Sequence, residues 1–308
     1  MKIAIASGKG GTGKSSVAIN LSYLLLEDGI NVNLLDCDVE EPNCHLFLNN
    51  NITFEKETAA EVIIPKINSD LCIACRKCAE FCKFKAQTVF KISNKIEHLF
   101  FSELCHSCGG CFLVCPQKAI SKSCREIGKI KEKHVDLLSY PLLKLIYGEL
   151  NIMEAKSPPL IQKVKEFAGK ISEEDKGNRE DKNNGDGKTV TIIDAPPGTS
   201  CPALAAIDGC DLILLVTEPT VFGVNDLELA ADMVDSLNIP YKIIINKSDD
   251  NDNLVEKFIK KKNVEILAKI PNEKNYAKAY SRGEIMVQTY PEIKKYYQPI
   301  MDYIKKQV

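Results

Sequence analysis

Residues 8–15, Gly8-Lys9-Gly10-Gly11-Thr12-Gly13-Lys14-Ser15, fit the spacing G-x-x-x-x-G-K-[ST]. Such a loop needs glycines because backbone N–H groups curl around phosphate oxygens only where side chains stay out of the way. Lys14 sets a positive charge against the β- and γ-phosphates, and the Ser15 hydroxyl helps hold Mg²⁺. Ser16 continues into a predicted helix whose N-terminal dipole favours the same anion. Two acidic points extend this site. Asp36-Cys37-Asp38 closes a predicted strand, and Asp194-Ala195-Pro196-Pro197-Gly198 follows the strand-like run Thr189–Ile193. Carboxylates at strand ends beside a phosphate loop, such as Asp36, Asp38 and Asp194, can position a water or, with Ser15, complete a Mg²⁺ shell. Gly198 can bring its backbone N–H close to a γ-phosphate. The plain alternative for Asp36-Cys37-Asp38 is an acidic surface turn.

The second chemical signal is Cys-x₂-Cys-x₂-Cys-x₃-Cys, present twice. Cys72, Cys75, Cys78 and Cys82 recur 33 residues on as Cys105, Cys108, Cys111 and Cys115, and Lys85-Ala86 recurs as Lys118-Ala119. The spacing suits an iron–sulfur cubane, because one tight loop supplies three thiolates. The runs resemble those of bacterial two-cluster ferredoxins, in which the fourth cysteine of each run crosses to the other cluster. That resemblance implies one [4Fe–4S] cluster on Cys72, Cys75, Cys78 and Cys115, and another on Cys105, Cys108, Cys111 and Cys82. Zinc is the rival ligand, although its sites usually pair two Cys-x₂-Cys across a longer gap. Lys83 departs from the ferredoxin pattern, which has proline there, without removing a ligand. Cys44, Cys124 and Cys210 read as small buried hydrophobes, whereas Cys37 and Cys201 fall beside the two acidic points, where a redox or ligand role is open.

The elements that must position these residues read as α/β. Lys2–Ser7, Asn31–Asp36, Thr189–Asp194, Asp211–Thr217, Lys242–Asn246 and Glu265–Ile270 are strand-like, with helical stretches at Ser15–Glu27, 223–237 and 252–262. Strand, crossover helix and parallel strand make the α/β unit. The expected organisation is a discontinuous domain of residues 1–65 and 125–308, with the cysteine-rich 66–124 inserted. From Glu173 to Lys188, ten of sixteen residues are charged, which predicts a mobile surface loop. The last helix carries an apolar stripe, Ile293, Tyr296, Tyr297, Ile300 and Ile304, expected to pack into the core rather than anchor on a lipid surface.

Composition bounds the reading. The 308 residues are 44% apolar and 27% charged, with 40 basic against 42 acidic side chains, which argues against a dedicated nucleic-acid binder. No run approaches a membrane span, and the strand-like start at Lys2 leaves no room for a signal peptide. Of the thirteen cysteines, the eight clustered between Cys72 and Cys115 then read as metal ligands in a reducing cytoplasm.

With Lys9 inside the loop, Lys-Gly-Gly-Thr-Gly-Lys-Ser resembles the deviant Walker A of the MinD/ParA/nitrogenase-iron-protein superfamily. The motifs together resemble MinD-superfamily P-loop ATPases carrying an inserted ferredoxin domain. The resemblance implies a mostly parallel sheet flanked by helices, an inserted α+β ferredoxin-like domain, and ATP hydrolysis in an ATP-dependent homodimer. It also implies that Lys9 contacts phosphates across the dimer, Asp38 orients the attacking water, Asp36 lies beside the metal and Asn43 falls in the first switch. Gly198 then belongs to the second switch. Asn246, with backbone near Pro271, reads the base, although Asn246-Lys247-Ser248-Asp249 also matches the guanine reader Asn-Lys-x-Asp. Three functions are consistent with these implications. The leading one is an ATPase whose switching gates electron transfer through two clusters to a redox partner protein. The others are a cluster carrier serving an acceptor, and a positioning ATPase with accessory clusters. No membrane or nucleic-acid partner is expected.

Overall fold

The computed structural model describes residues 1–48, 52–92, 95–138, 142–177 and 188–307. In chain order the elements are β1 (Lys2–Ala6), α1 (Lys14–Glu27), β2 (Asn31–Asp36), β3 (Ile52–Ile67), α2 (Lys77–Phe81), β4 (Gln87–Ile92), β5 (Lys95–Phe100), α3 (Gly110–Val114), β6 (Ile120–Val135) and β7 (Leu143–Leu150). They continue with α4 (Ser157–Gly177), β8 (Thr189–Asp194), α5 (Cys201–Ile207), β9 (Leu212–Thr217), α6 (Val221–Ser236), β10 (Tyr241–Ser248), α7 (Asn253–Lys262), β11 (Ile266–Pro271), α8 (Lys274–Ser281), α9 (Met286–Thr289) and α10 (Lys294–Lys305).

Among the described residues the main sheet has nine strands in the order β11-β10-β9-β1-β8-β2-β7-β6-β3. From β11 to β7 every pairing is parallel, and β6 runs antiparallel to both of its neighbours. The alternation in β1 explains how both faces are covered. Ile3 and Ile5 enter one core, with α1, α9 and α10. Ala4 and Ala6 enter the other, with α4, α5, α6 and α7. Strands buried on both faces are what a parallel sheet requires, and the α/β architecture expected from the sequence is the one observed. The C-terminal stripe belongs to the first core: Ile293, Tyr297, Ile300 and Ile304 are fully buried. Among the described residues no helix is long and apolar enough to cross a membrane.

The sequence reading missed the two longest strands. β3 and β6 pair from Ile52↔Val135 to Ile67↔Ile120, but β6 meets β7 only between Gly128 and Val135. Residues 120–127 and their β3 partners therefore project from the sheet as an arm of about 26 Å, at roughly 3.3 Å per residue. Glu61 faces Glu126 while Ala60 faces Gly128, so Ile127 is the extra residue of a bulge at the base of the arm. Ile127 is fully buried, and its carbonyl accepts the Asn151 N–H at 3.0 Å. Gly128 lets the strands close up there: a Cβ would stand 2.4 Å from the Glu149 carbonyl oxygen.

The positions 65/66 and 124/125 fall inside β3 and β6, so the cysteine segment hangs on continuous strands. The charged stretch differs from expectation as well. Residues 173–177 prolong α4, for which Glu and Lys have good propensity, and 178–187 lie outside the described residues.

Candidate functional site

The phosphate loop joins β1 to α1 at the carboxyl end of the sheet, where open α/β sheets bind ligands. Gly13 caps α1 in the left-handed region at φ 92°. A side chain there would also collide with Asn246, whose Nδ2 lies 2.2 Å from the ideal Cβ position. Asn246 Nδ2 donates to the Thr12 carbonyl at 2.7 Å, and Lys247 Nζ donates to the Gly11 carbonyl at 2.9 Å. Lys247 also pairs with Glu218 at 2.6 Å, and Lys9 Nζ lies 3.4 Å from the same carboxylate. Glu218 follows β9, and the sequence reading did not single it out. Its place at the carboxyl end of a central strand was the available clue. Gly8 packs against α6, its ideal Cβ 2.0 Å from the Asp226 carbonyl oxygen, and Gly10 and Gly11 have open space. Pro271 pairs with Ser248 beside Asn246.

Asp36 is fully buried. Its carboxylate accepts the backbone N–H groups of Asp38 at 3.1 Å, Asn43 at 2.8 Å and Cys44 at 2.9 Å, which pins the following loop. The Cys44 thiol donates to Asp194 Oδ2 at 3.5 Å, while Asp194 Oδ1 is buried with no partner among the described residues. Ligand atoms of Asp36, Cys44 and Asp194 all lie within 4.8 Å of one another. Burial pushes both carboxyls up; hydrogen bonds from Cys44, Asn43 and Asp38 partly relieve Asp36, while for Asp194 the Asp36 charge adds to burial and Ser15 and Lys14 oppose it. Asp38 is raised to about 6, by burial first and by Asp36 second, with Lys14 opposing. A divalent cation at the orphaned Asp194 oxygen would offset these costs. Gly198, at φ 87°, donates its N–H to the Ser7 carbonyl at 3.0 Å in this conformation. Cys37 is fully buried and its thiol is pushed well up by burial, whereas Cys201 is exposed. Cys44 and Cys210 are buried as expected; Cys124 is exposed, because it faces outward on the arm.

The sequence duplication is also a structural one. α2 and α3 are offset by 33 residues, and so are the left-handed residues Ala74 and Ser107 (φ 52° and 53°), Arg76 and Gly109 (62° and 74°), and Lys85 and Lys118 (53° and 49°). The Ala86 N–H donates to Cys82 Sγ at 3.4 Å, as the Ala119 N–H does to Cys115 Sγ at 3.3 Å. Two cavities result. One, of about 350 Å³ including its mouth, is lined by Cys72, Cys75, Cys78 and Cys115. The other, of about 420 Å³, is lined by Cys82, Cys105, Cys108 and Cys111. Each takes its fourth sulfur from the other repeat. Four sulfur donors per cavity, with no carboxylate on either wall, fit a thiolate-ligated metal group.

The segment 150–157 contacts both the phosphate-site loop and the cysteine segment with its arm. The Ser157 hydroxyl donates to Glu40 Oε1, in the loop after Asp38. Lys156 Nζ donates to the Glu103 carbonyl at 2.5 Å, two residues before Cys105. Arg125 on the arm pairs with Glu154, and the Leu150 N–H reaches the Val39 carbonyl at 2.9 Å.

A β1–loop–α1 phosphate cradle at the carboxyl end of a parallel sheet, with an acid ending the adjacent β8, defines a P-loop nucleotide-binding protein. The CobQ/CobB/MinD/ParA nucleotide binding domain matches residues 3–287, and the chain belongs to that family, which includes the MinD/ParA ATPases. It is 30% identical over 311 residues to the uncharacterized protein MJ0579 of Methanocaldococcus jannaschii, covering 99% of this chain and 97% of that one. An iron–sulfur cluster carrier protein of Synechocystis is 41% identical over 69 residues, 21% of this chain and 20% of that one. In fold the chain is similar to the septum site-determining protein MinD of Pyrococcus horikoshii complexed with Mg-ADP. The TM-score is 0.56 at 18% identity, covering 99% of this chain and 96% of that one.

Proposed function

We propose that this chain is an ATP-hydrolysing iron–sulfur protein in which nucleotide-driven switching is coupled to electron transfer through two [4Fe–4S] clusters. The observation that carries the reading is the pair of four-sulfur cavities, each completed by a cysteine of the other repeat. Spacing between the sulfurs argues against zinc. A tetrahedral zinc site sets its sulfurs about 3.8 Å apart, from Zn–S bonds of about 2.3 Å. Among the described residues no three of these sulfurs gather within 4.8 Å, as Asp36, Cys44 and Asp194 do. A cubane, whose corners stand further apart, suits the wider set.

In this reading Cys72, Cys75, Cys78 and Cys115 hold one cluster, and Cys105, Cys108, Cys111 and Cys82 the other. When bound, the clusters supply one-electron redox chemistry. Residues 8–16 cradle the phosphates, Lys14 neutralises their charge, and Ser15 with Asp194 and Asp36 holds Mg²⁺ directly or through water. Asp38, half-buried beside Lys14, orients the attacking water. Lys9 must leave Glu218 to reach the phosphates of a second copy, so the homodimer forms only when ATP replaces that contact. Asn246 and Pro271 flank the base. Motion of the Asp38–Glu41 loop is passed through Ser157 and Lys156 to the chain before Cys105.

The test is an anaerobic EPR redox titration of the iron-loaded chain with and without Mg-ATP. A nucleotide-dependent shift in midpoint or line shape is the expected result. Identical titrations with hydrolysis intact would remove the coupling. A cluster carrier is the second reading, favoured by the partial similarity to the Synechocystis carrier protein; transfer of a cluster to an apo-acceptor would then follow ATP turnover.

A further inference from the structure

The two cavities are built by one duplicated unit, so each serves as an internal control for the other. At the position 33 residues apart where both repeats turn into their helix, the first carries Arg76 at φ 62° and the second Gly109 at φ 74°. Glycine occupies the left-handed region freely, whereas a residue with a Cβ is strained there. The first repeat thus holds a guanidinium where the second has glycine, in a left-handed conformation that Ala74, Lys85, Ser107 and Lys118 also adopt. Arg76 lines the cavity of Cys72, Cys75, Cys78 and Cys115.

The other cavity has no counterpart. Its wall includes the rings of Phe81, Phe84, Phe100 and Phe112 and no lysine, arginine or carboxylate side chain. His106 stacks on Phe84 with ring centroids 3.5 Å apart. Lys83, which follows Cys82, lines neither cavity. Reduction adds one negative charge to a cluster. A nearby fixed cation stabilises the reduced form and raises its midpoint, while apolar surroundings lower it.

Resting on the two-cluster reading above, we infer that Arg76 makes the cluster of Cys72, Cys75, Cys78 and Cys115 the more easily reduced of the two, and hence the electron acceptor within the pair. One electron leaves the cluster of the aromatic cavity, which is oxidised, and reduces the cluster beside Arg76; no proton moves. An external one-electron donor protein refills the first. The aromatic cavity is lined by Ile63 and Pro65, nearer the sheet along β3 than Ile67 of the other cavity. Electrons therefore travel outward along the arm, to a tip where Leu71 and Ile73 are exposed.

The experiment is an EPR redox titration at low ionic strength, where an exposed charge is least screened, of the full iron-loaded chain and of Arg76→Gln and Arg76→Lys. Iron and sulfide are counted first. A chain with fewer than two four-iron clusters removes the two-cluster reading and this inference with it. With both clusters present, the wild type should resolve two midpoints. Arg76→Gln should lower the higher one and leave the lower unmoved, and Arg76→Lys should restore most of the difference. A single wild-type midpoint, a shift of the lower midpoint, a parallel shift of both, or no shift would overturn the inference and leave the two-cluster reading standing.

Discussion

The carboxylate of Glu40 accepts the hydroxyl of Ser157, a residue 117 positions further along the chain. Glu40 lies in the loop after Asp38, and Ser157 opens α4. The preceding residue, Lys156, holds the Glu103 carbonyl at 2.5 Å, next to the cysteine run that begins at Cys105. A two-residue step thus spans from the acidic loop of the phosphate site to the cysteine lobe. It gives a contiguous physical contact through which a displacement of one can bias the other.

Ser157→Ala should leave ATP hydrolysis and iron content within about twofold of wild type, since neither a phosphate-loop residue nor a cysteine is touched. It should abolish any effect of Mg-ATP on the cluster EPR signals. An EPR response to Mg-ATP as large as in wild type would rule out this contact as the route.

Lys14→Ala and Cys78→Ser probe separate ends. Lys14 is buried at the start of α1, and its loss should abolish nucleotide binding by calorimetry while the iron content stays at wild-type level. Cys78→Ser should remove one cluster's signal without weakening ATP binding. Loss of both properties in either variant would contradict ends that fold independently of each other's ligand.

Much of the site was readable because it is local. The phosphate loop declares itself through glycines at positions that need them, such as Gly13 at φ 92°, and the cysteine runs set their own loops. The arm was not readable. β3 and β6 lack an apolar alternation over much of their length, and cross-strand ion pairs such as Glu57–Lys129 at 2.6 Å help to hold them. Charged side chains also protect β3 as the edge of the sheet. Cys44 beside Asp194, and Glu218 between Lys9 and Lys247, follow from long-range packing that no sequence window contains.

Glu218 leads to the next prediction. Burial opposes its ionisation, but Lys247 and Lys9 outweigh that and hold it below the usual range. Partly solvated ion pairs of this kind contribute up to about 1 kcal/mol. Glu218→Gln should therefore free Lys9 for a second copy and strengthen Mg-ATP-dependent dimerisation by roughly two- to fivefold, read by sedimentation velocity. Unchanged association would mean that the contact does not restrain Lys9.

Asp38 sets the pH dependence. Its folded value of about 6 lies above the ordinary 3.8, raised by burial and then by Asp36. If its carboxylate orients the attacking water, kcat/KM should fall about tenfold per pH unit below about 6, and Asp38→Asn should be slow at every pH. Stability moves in the opposite sense. A carboxyl whose folded value is raised binds its proton more tightly in the native state, so its contribution is fully present below pH 3.8 and is lost as pH rises through about 6. Asp38→Asn, which cannot ionise, should then exceed the nucleotide-free wild type in Tm at pH 8, with a smaller difference at pH 5. Equal Tm differences at both pH values would show that the ionisation of Asp38 carries no cost in the folded chain.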